Sequence, residues 1–444
     1  MLKLIVCVVL WLPNLFFGQH TISGTFSPAE DYNVALLYKV TPTISEYIAN
    51  SEISKGGRFQ FQLDSTNTRG MYRLVYAIPQ EDYNFDIIYN GKEDIKLTFN
   101  SETGVEFQSS SENKLLSSYT NSMSLITHSI GNFFREESKD TIALKSLFKT
   151  QSEAQASYEK LAKGMIAYHF IEANKPFIPK NIIKVKPYVD SLKTHYFDYV
   201  DFNNKTLQAS NFLEERMLNY VFGMSSETVD EVTNYKTNID VFYNKARTAP
   251  NAIKRILLVD LWQQMIDLEF ENVANYISDK YLMDIAKTLK DKELMDGLTA
   301  FSRTAIGRQA PDFSFQTANK NEKITKKLSE LSGSEKYVIV FWSSTCSHCL
   351  DEIPQLQEFV KCQEKNALKV VAIGLEDEPT KWKALKKSFS EFIHVYGQGK
   401  WNNPISNDYN IHATPTYFLL NKNKVILAKP ENFEALKDFF EEED

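Results

Sequence analysis

Four consecutive residues near the C-terminal end are equipped for chemistry: Cys346-Ser347-His348-Cys349. They follow an apolar strand pattern that ends at Trp342 and they open a helical one. Two thiols in that setting, separated by two residues, read as a pair that is oxidised and reduced in turn. Cys346 falls in the first turn of the helix. Unpaired backbone N–H groups and the positive end of the helix dipole favour a thiolate there, and the thiolate is the species that attacks a disulfide. Cys349 lies one turn further on, close enough to close a ring with Cys346. Cys346 is therefore assigned as nucleophile and Cys349 as resolving thiol. His348 is the only titratable side chain between them. A cationic or hydrogen-bonding His348 would stabilise the Cys346 thiolate, and stabilising the reduced form raises the reduction potential. No cofactor is expected beyond the redox-active pair itself. A zinc site would need a second ligand pair, and only Cys362 and distant histidines are available. Haem attachment would need His directly after the second Cys, where Leu350 stands. An inert structural disulfide across so short a loop would stabilise little.

Several elements must position this pair. The run Tyr337–Trp342 reads as a strand, and Ile353, Leu356, Phe359 and Val360 as a helix face. Leu368–Ile373 reads as a second strand, followed by a helix around Lys381–Phe392. Strands at Tyr417–Leu420 and Val425–Leu427 and a helix over Phe433–Phe440 complete an α/β fold. Cys362 falls in the same helix pattern as Cys349 and is expected to be buried, with an auxiliary redox or dimerising thiol as the alternative. Far upstream, from His20 to about Phe107, short alternating bursts such as Val34–Tyr38, Arg58–Leu63, Tyr72–Tyr76 and Ile95–Phe99 are separated by turn residues. That spacing predicts an N-terminal all-β sandwich. Serines 109–111 mark a change, and from Glu112 to Ser302 the apolar residues recur at helical spacing, with prolines only at helix breaks. His128, His169 and His195 are scattered through this α-helical region and read as packed or surface residues.

A chain of 444 residues suggests about three domains. Fifty Lys and Arg against 57 Asp and Glu give a net charge of −7, and no basic stripe is present, which argues against nucleic acid as a partner. A hydrophobic content of 43% with 24% charged residues excludes a largely disordered chain. Four cysteines are too few for a disulfide scaffold. At the start, Lys3 precedes an apolar run from Leu4 to Leu12 that leads to Gly18. This is the pattern of a secretory signal peptide, and it is too short to span a bilayer. Cys7 lies inside the run rather than after it, so it does not read as a lipid acceptor. The expected organisation is a signal peptide over 1–18, a β-sandwich over 19–108, an α-helical domain over 112–302 and an α/β domain over 303–444. The mature protein is expected in the periplasm or cell envelope, with no transmembrane segment after signal removal.

The segment from Phe341 to Pro354, FWSSTCSHCLDEIP, resembles the active site of the TlpA-like thiol–disulfide oxidoreductases of the thioredoxin fold. Glu352 and Pro354 occupy that family's acidic and helix-kinking positions. Ile306–Phe313 is similar to the lead-in these proteins share with peroxiredoxins, and Ala413-Thr414-Pro415-Thr416 resembles the loop whose proline is cis and faces the dithiol. The resemblance covers about residues 303–444. It implies a thioredoxin-like fold there and an exported enzyme that exchanges disulfides with client proteins. It implies Glu352 as the proton-handling carboxylate, Pro415 as the cis-proline of the site, and Trp342 and Thr414 as client contacts. Its partners would be proteins bearing thiols or disulfides, together with an electron donor or acceptor of the envelope. The chain departs from thioredoxin in two ways: Val340 stands where thioredoxin has an acid, and Ser-His replaces the Gly-Pro common between the cysteines of reductive members. The direction of electron flow therefore stays open. Two alternatives are a peroxiredoxin-like peroxidase and a redox-sensitive binding protein of the envelope. Against the first, Ser343 stands where peroxiredoxins have Thr, and a second Cys follows within one turn.

Overall fold

The computed structural model describes residues 20–42, 44–80, 82–226, 228–319 and 322–441. The segment read as a signal peptide lies outside the described residues. The chain forms two compact units, one up to Leu257 and one from Leu258 onward.

The first unit begins with eight strands: β1 (His20–Ser27), β2 (Val34–Val40), β3 (Ser45–Glu52), β4 (Arg58–Leu63), β5 (Gly70–Val75), β6 (Asn84–Tyr89), β7 (Ile95–Asn100) and β8 (Gly104–Ser109). They make two four-stranded sheets, ordered β4-β1-β7-β8 and β3-β2-β5-β6. In β4 the burial alternates strictly, with Phe59, Phe61 and Leu63 inward and Arg58, Gln60 and Gln62 outward, as the two-residue period of a strand requires. Phe61 and Leu97 of one sheet join Leu37, Tyr72 and Ile87 of the other in a single core. The helix Ser111–Arg135 follows directly. Its buried Asn113 accepts a hydrogen bond from the Ile88 N–H at 2.9 Å and donates one to the Ile88 carbonyl at 2.7 Å, so a side-chain amide continues the ladder at the edge of β6. Helices then dominate as far as Arg303.

The second unit carries the dithiol. Its sheet has five strands in the order β13-β12-β11-β14-β15, with β11 at Lys336–Trp342, β12 at Leu368–Glu376, β13 at Ile393–Gln398, β14 at Thr416–Asn421 and β15 at Ile426–Ala428. A hairpin of β9 (Ser314–Asn319) and β10 (Glu322–Lys327) precedes it. β11 runs parallel to β12 and antiparallel to β14. Every residue of β11 after Lys336 is buried, because both faces of this central strand are covered; hence its unbroken apolar run. Tyr337, Ile339 and Phe341 face one core, while Val338, Val340 and Trp342 face the other. The second core also receives Cys349, Ile353 and Leu356 from the active-site helix Ser347–Cys362, and Phe433 and Leu436 from the C-terminal helix Phe433–Glu441. Helices preceding this domain are tied to it. Glu271 accepts a hydrogen bond from the Ile306 N–H at 2.7 Å and an ion pair from Lys429, and Arg303 pairs with Asp408 at 3.1 Å.

The observed architecture is thus a sheet-rich N-terminal region, a helical middle and a thioredoxin-like C-terminal domain with a mixed sheet. Two details differ from the expected pattern. β13 and the β9–β10 hairpin were not anticipated, and the helix expected around Lys381–Phe392 is only Pro379–Leu385 followed by a short 3-10 turn.

Candidate active site

β11 delivers the chain to the dithiol through a buried loop. Ser343 and Ser344 are buried, and the Ser344 N–H is held by the carboxylate of Glu376 at 2.5 Å. Glu376 is only 2% exposed at the end of β12. A backbone donor buried this deeply needs an acceptor, and the acid supplies one.

Cys346 sits at the N-cap rather than inside the first turn. Its backbone is extended, with φ −90° and ψ 121°, and its Sγ accepts the Cys349 N–H at 3.3 Å. The sulfur takes the place that Ser or Asp usually fills at a helix start. On its other side the Cys346 thiol donates to the Thr414 carbonyl at 3.2 Å. The Thr414–Pro415 bond is cis. Cys346 is half-buried, Cys349 is completely buried, and both stand as thiols. Burial above all, and the hydrogen bond with Cys346, push the Cys349 thiol up to about 12. The two sulfurs are therefore unequal: one faces outward at a helix start, the other is held protonated in the core.

Glu352 lies one turn beyond Cys349 in the same helix. Its Oε2 accepts two hydrogen bonds, from the Tyr417 hydroxyl at 3.0 Å and from the Phe433 N–H at 2.8 Å. Tyr417 is fully buried in β14, opposite Val340. Burial, then the Glu352 carboxylate, then the two sulfurs raise its phenol far above the usual range.

The structure thus gathers Cys346, Cys349, Glu352, Thr414 and Pro415 around one helix start. His348 is exposed and has no hydrogen bond to either sulfur. Trp342, expected as a client contact, is fully buried and packs edge-on against Phe389 at 6.0 Å. It supports the site from beneath, because alternation along β11 turns it into the core under the active-site helix. Cys362, expected to be buried, is exposed at the last residue of that helix. Two residues of the site were missed in the sequence, Glu376 and Tyr417. Glu376 opens the acidic run Glu376-Asp377-Glu378, which reads as a solvated loop, and Tyr417 reads as one more apolar strand residue. Among the described residues, no group of three or more His, Cys, Asp or Glu is placed to hold a metal, and no helix is long and apolar enough to cross a membrane.

A dithiol at a helix start, above a mixed sheet and beside a cis-proline loop, defines a redox-active domain of thioredoxin type. Residues 306–429 match the AhpC/TSA family. The sporulation thiol–disulfide oxidoreductase A of Bacillus subtilis is 30% identical over 118 residues, spanning 24% of this chain and 68% of that protein. The thiol–disulfide oxidoreductase ResA of Geobacillus kaustophilus is 27% identical over 130 residues, spanning 28% of this chain and 68% of that protein. A solved thiol–disulfide oxidoreductase from Bacteroides fragilis is 24% identical, covering 31% of this chain and all of that one, with a TM-score of 0.26. The chain belongs, through its C-terminal domain, to the thioredoxin-like thiol–disulfide oxidoreductases of the AhpC/TSA family, and it is an enzyme of that class.

Proposed function

We propose that the protein is an exported, TlpA-like thiol–disulfide oxidoreductase that exchanges disulfides with client proteins through the Cys346-Ser347-His348-Cys349 dithiol. The observation that carries this reading is the asymmetry of the two thiols. Cys346 is half-exposed between the Cys349 N–H and the Thr414 carbonyl, while Cys349 is sealed beneath it. In the reducing direction the Cys346 thiolate attacks one sulfur of a client disulfide. A mixed disulfide forms, and the departing client sulfur takes a proton. Cys349 then gives its proton to Glu352, and the resulting thiolate attacks the Cys346 sulfur. An intramolecular disulfide closes, and the second client sulfur leaves and is protonated. Two electrons and two protons pass from the dithiol to the client, and the same steps in reverse oxidise a client dithiol. The Thr414 backbone offers hydrogen bonds to an extended client segment. No cofactor enters beyond the cysteine pair.

Export is supported by Lys3 and the apolar run Leu4–Leu12, and on this reading the enzyme works in the periplasm or envelope with an electron donor or acceptor of that compartment. We read the two N-terminal sheets as a β-sandwich. The test is mixed-disulfide trapping in the full chain. Cys349→Ser should accumulate covalent adducts with disulfide-bearing clients and lose insulin reduction, and Cys346→Ser should trap nothing. Equal trapping by both variants, or insulin reduction without Cys346, would overturn the role assignment.

A further inference from the structure

The resolving step needs a base, and the interior beneath the dithiol holds few candidates. Val340, on the strand under the active-site helix, is apolar and buried. The buried carboxylate of Glu376 is engaged by the Ser344 N–H, which leaves the carboxylate on the helix itself. Glu352 follows Cys349 by three residues, the spacing that brings two side chains onto one helix face. A glutamate has rotamer freedom, however, and proton transfer demands a fixed approach.

We infer that Tyr417 is a positioning residue for the resolving step: its hydroxyl holds Glu352 where the carboxylate takes the Cys349 proton. This rests on the reading of Glu352 as proton acceptor. Tyr417 pairs with Val340 across the sheet, and its ring shares a core with Cys349 and Ile353. That core is apolar, so a phenylalanine ring would fill the place. A buried hydroxyl costs free energy unless bonded, and the Tyr417 hydroxyl bonds to Glu352 Oε2 at 3.0 Å. The Phe433 N–H reaches the same oxygen at 2.8 Å. Two donors from two different elements fix Oε2, while Oε1 has no hydrogen-bond partner among the described residues and stays open to receive a proton. The phenol cannot itself serve as the base at neutral pH, because burial and the neighbouring carboxylate keep it protonated. It acts as a permanent donor.

The test uses the full-length reduced protein, in a background carrying Cys7→Ser and Cys362→Ser so that only the dithiol reacts, and 5,5′-dithiobis(2-nitrobenzoate). Attack by Cys346 releases one coloured thiolate and leaves a mixed disulfide, and attack by Cys349 on that disulfide releases the second. The two phases separate nucleophilic attack from resolution. Tyr417→Phe should leave the first phase within twofold of wild type. It should slow the second about 10-fold, less than the roughly 10²–10⁴-fold lost when an acid–base group is removed outright, because Glu352 itself remains, and shift its pH profile. Glu352→Gln should slow the second phase at least as much, and the double variant should be no slower than Glu352→Gln alone. A folded Tyr417→Phe whose second phase and pH profile match wild type overturns the inference. So does additive slowing in the double variant, which would mean that Tyr417 acts through packing. If Glu352→Gln itself resolves at the wild-type rate, the reading of Glu352 falls, and the role of Tyr417 with it. If Tyr417→Phe does not fold, site-specific 3-fluorotyrosine keeps the packing and makes the phenol a stronger donor. An unmoved pH profile in that protein overturns the inference.

Discussion

Cys349 should be the most inert thiol of the reduced protein, by a margin that can be worked out. Only the thiolate is alkylated. Burial and the hydrogen bond with Cys346 raise the Cys349 thiol from an ordinary 9.0 to about 12. Three pH units correspond to about a thousandfold less thiolate at neutral pH than an ordinary thiol carries, and complete burial denies access to the reagent as well. Exposed Cys362 is an internal reference in the same helix. After timed iodoacetamide treatment at pH 7, tryptic cleavage places Cys346 and Cys349 on the peptide 337–361, with Cys362 beginning the next. Fragment-ion mass spectrometry then locates the label. Cys349 should react about a thousandfold more slowly than Cys362. Because burial is the larger cause, Cys349 should remain slow in Cys346→Ser, where the hydrogen bond from the neighbouring thiol is gone. Labelling of wild-type Cys349 within tenfold of Cys362 would refute the reasoning, since it would mean that the helix start opens readily in solution. A Cys349 that becomes fast only in Cys346→Ser would refute the primacy of burial.

The same raised thiol makes stability depend on pH and redox state. The folded protein holds the Cys349 proton more tightly than the unfolded chain, so the stability it contributes is whole below pH 9 and is lost as pH rises toward 12. The slope is about 1.4 kcal/mol per pH unit; guanidinium unfolding of reduced and oxidised protein should diverge above pH 9, and parallel curves would contradict it. Glu376→Ala leaves the buried Ser344 N–H without its acceptor and should cost about 1–3 kcal/mol. Glu376→Gln, which retains an acceptor, should recover most of that in thermal melts, and equal losses would show that charge rather than the hydrogen bond matters. Because His348 is exposed and unbonded to either sulfur, His348→Gln should move the reduction potential by no more than about 20 mV. That bound converts an exposed-charge interaction of about 1 kcal/mol at roughly 30 mV per 1.4 kcal/mol; a larger shift in glutathione equilibration would show that His348 is the tuning residue.

Features carried by local pattern were legible in the sequence. The run Tyr337–Trp342 reads as an apolar strand, and the cysteine spacing announced the dithiol before any coordinates. The alternating bursts before Phe107 announced the strands of the N-terminal region. What escaped depends on partners distant in the chain. Glu376 resembles its acidic neighbours until the Ser344 N–H folds onto it. The Tyr417 hydroxyl acquires meaning only when the active-site helix brings Glu352 above it. Trp342 looked available because it adjoins the dithiol in sequence, but strand alternation turns it inward. β13, Ile-His-Val-Tyr-Gly-Gln, was hidden because Phe389 and Phe392 prolonged an apparent helical period up to its first residue. The β9–β10 hairpin is short and polar and offers little apolar alternation to read.

The amide of Asn113 has a consequence beyond holding a helix in place. β6 is the last strand of its sheet, and the outer edge of a sheet is where separate molecules add strands to one another and begin to aggregate. At Ile88 both outward backbone groups are already taken by Asn113. A foreign strand approaching in register would meet an occupied donor, an occupied acceptor and the body of a helix. At this point of the edge a single side chain therefore opposes the addition of a strand from another copy.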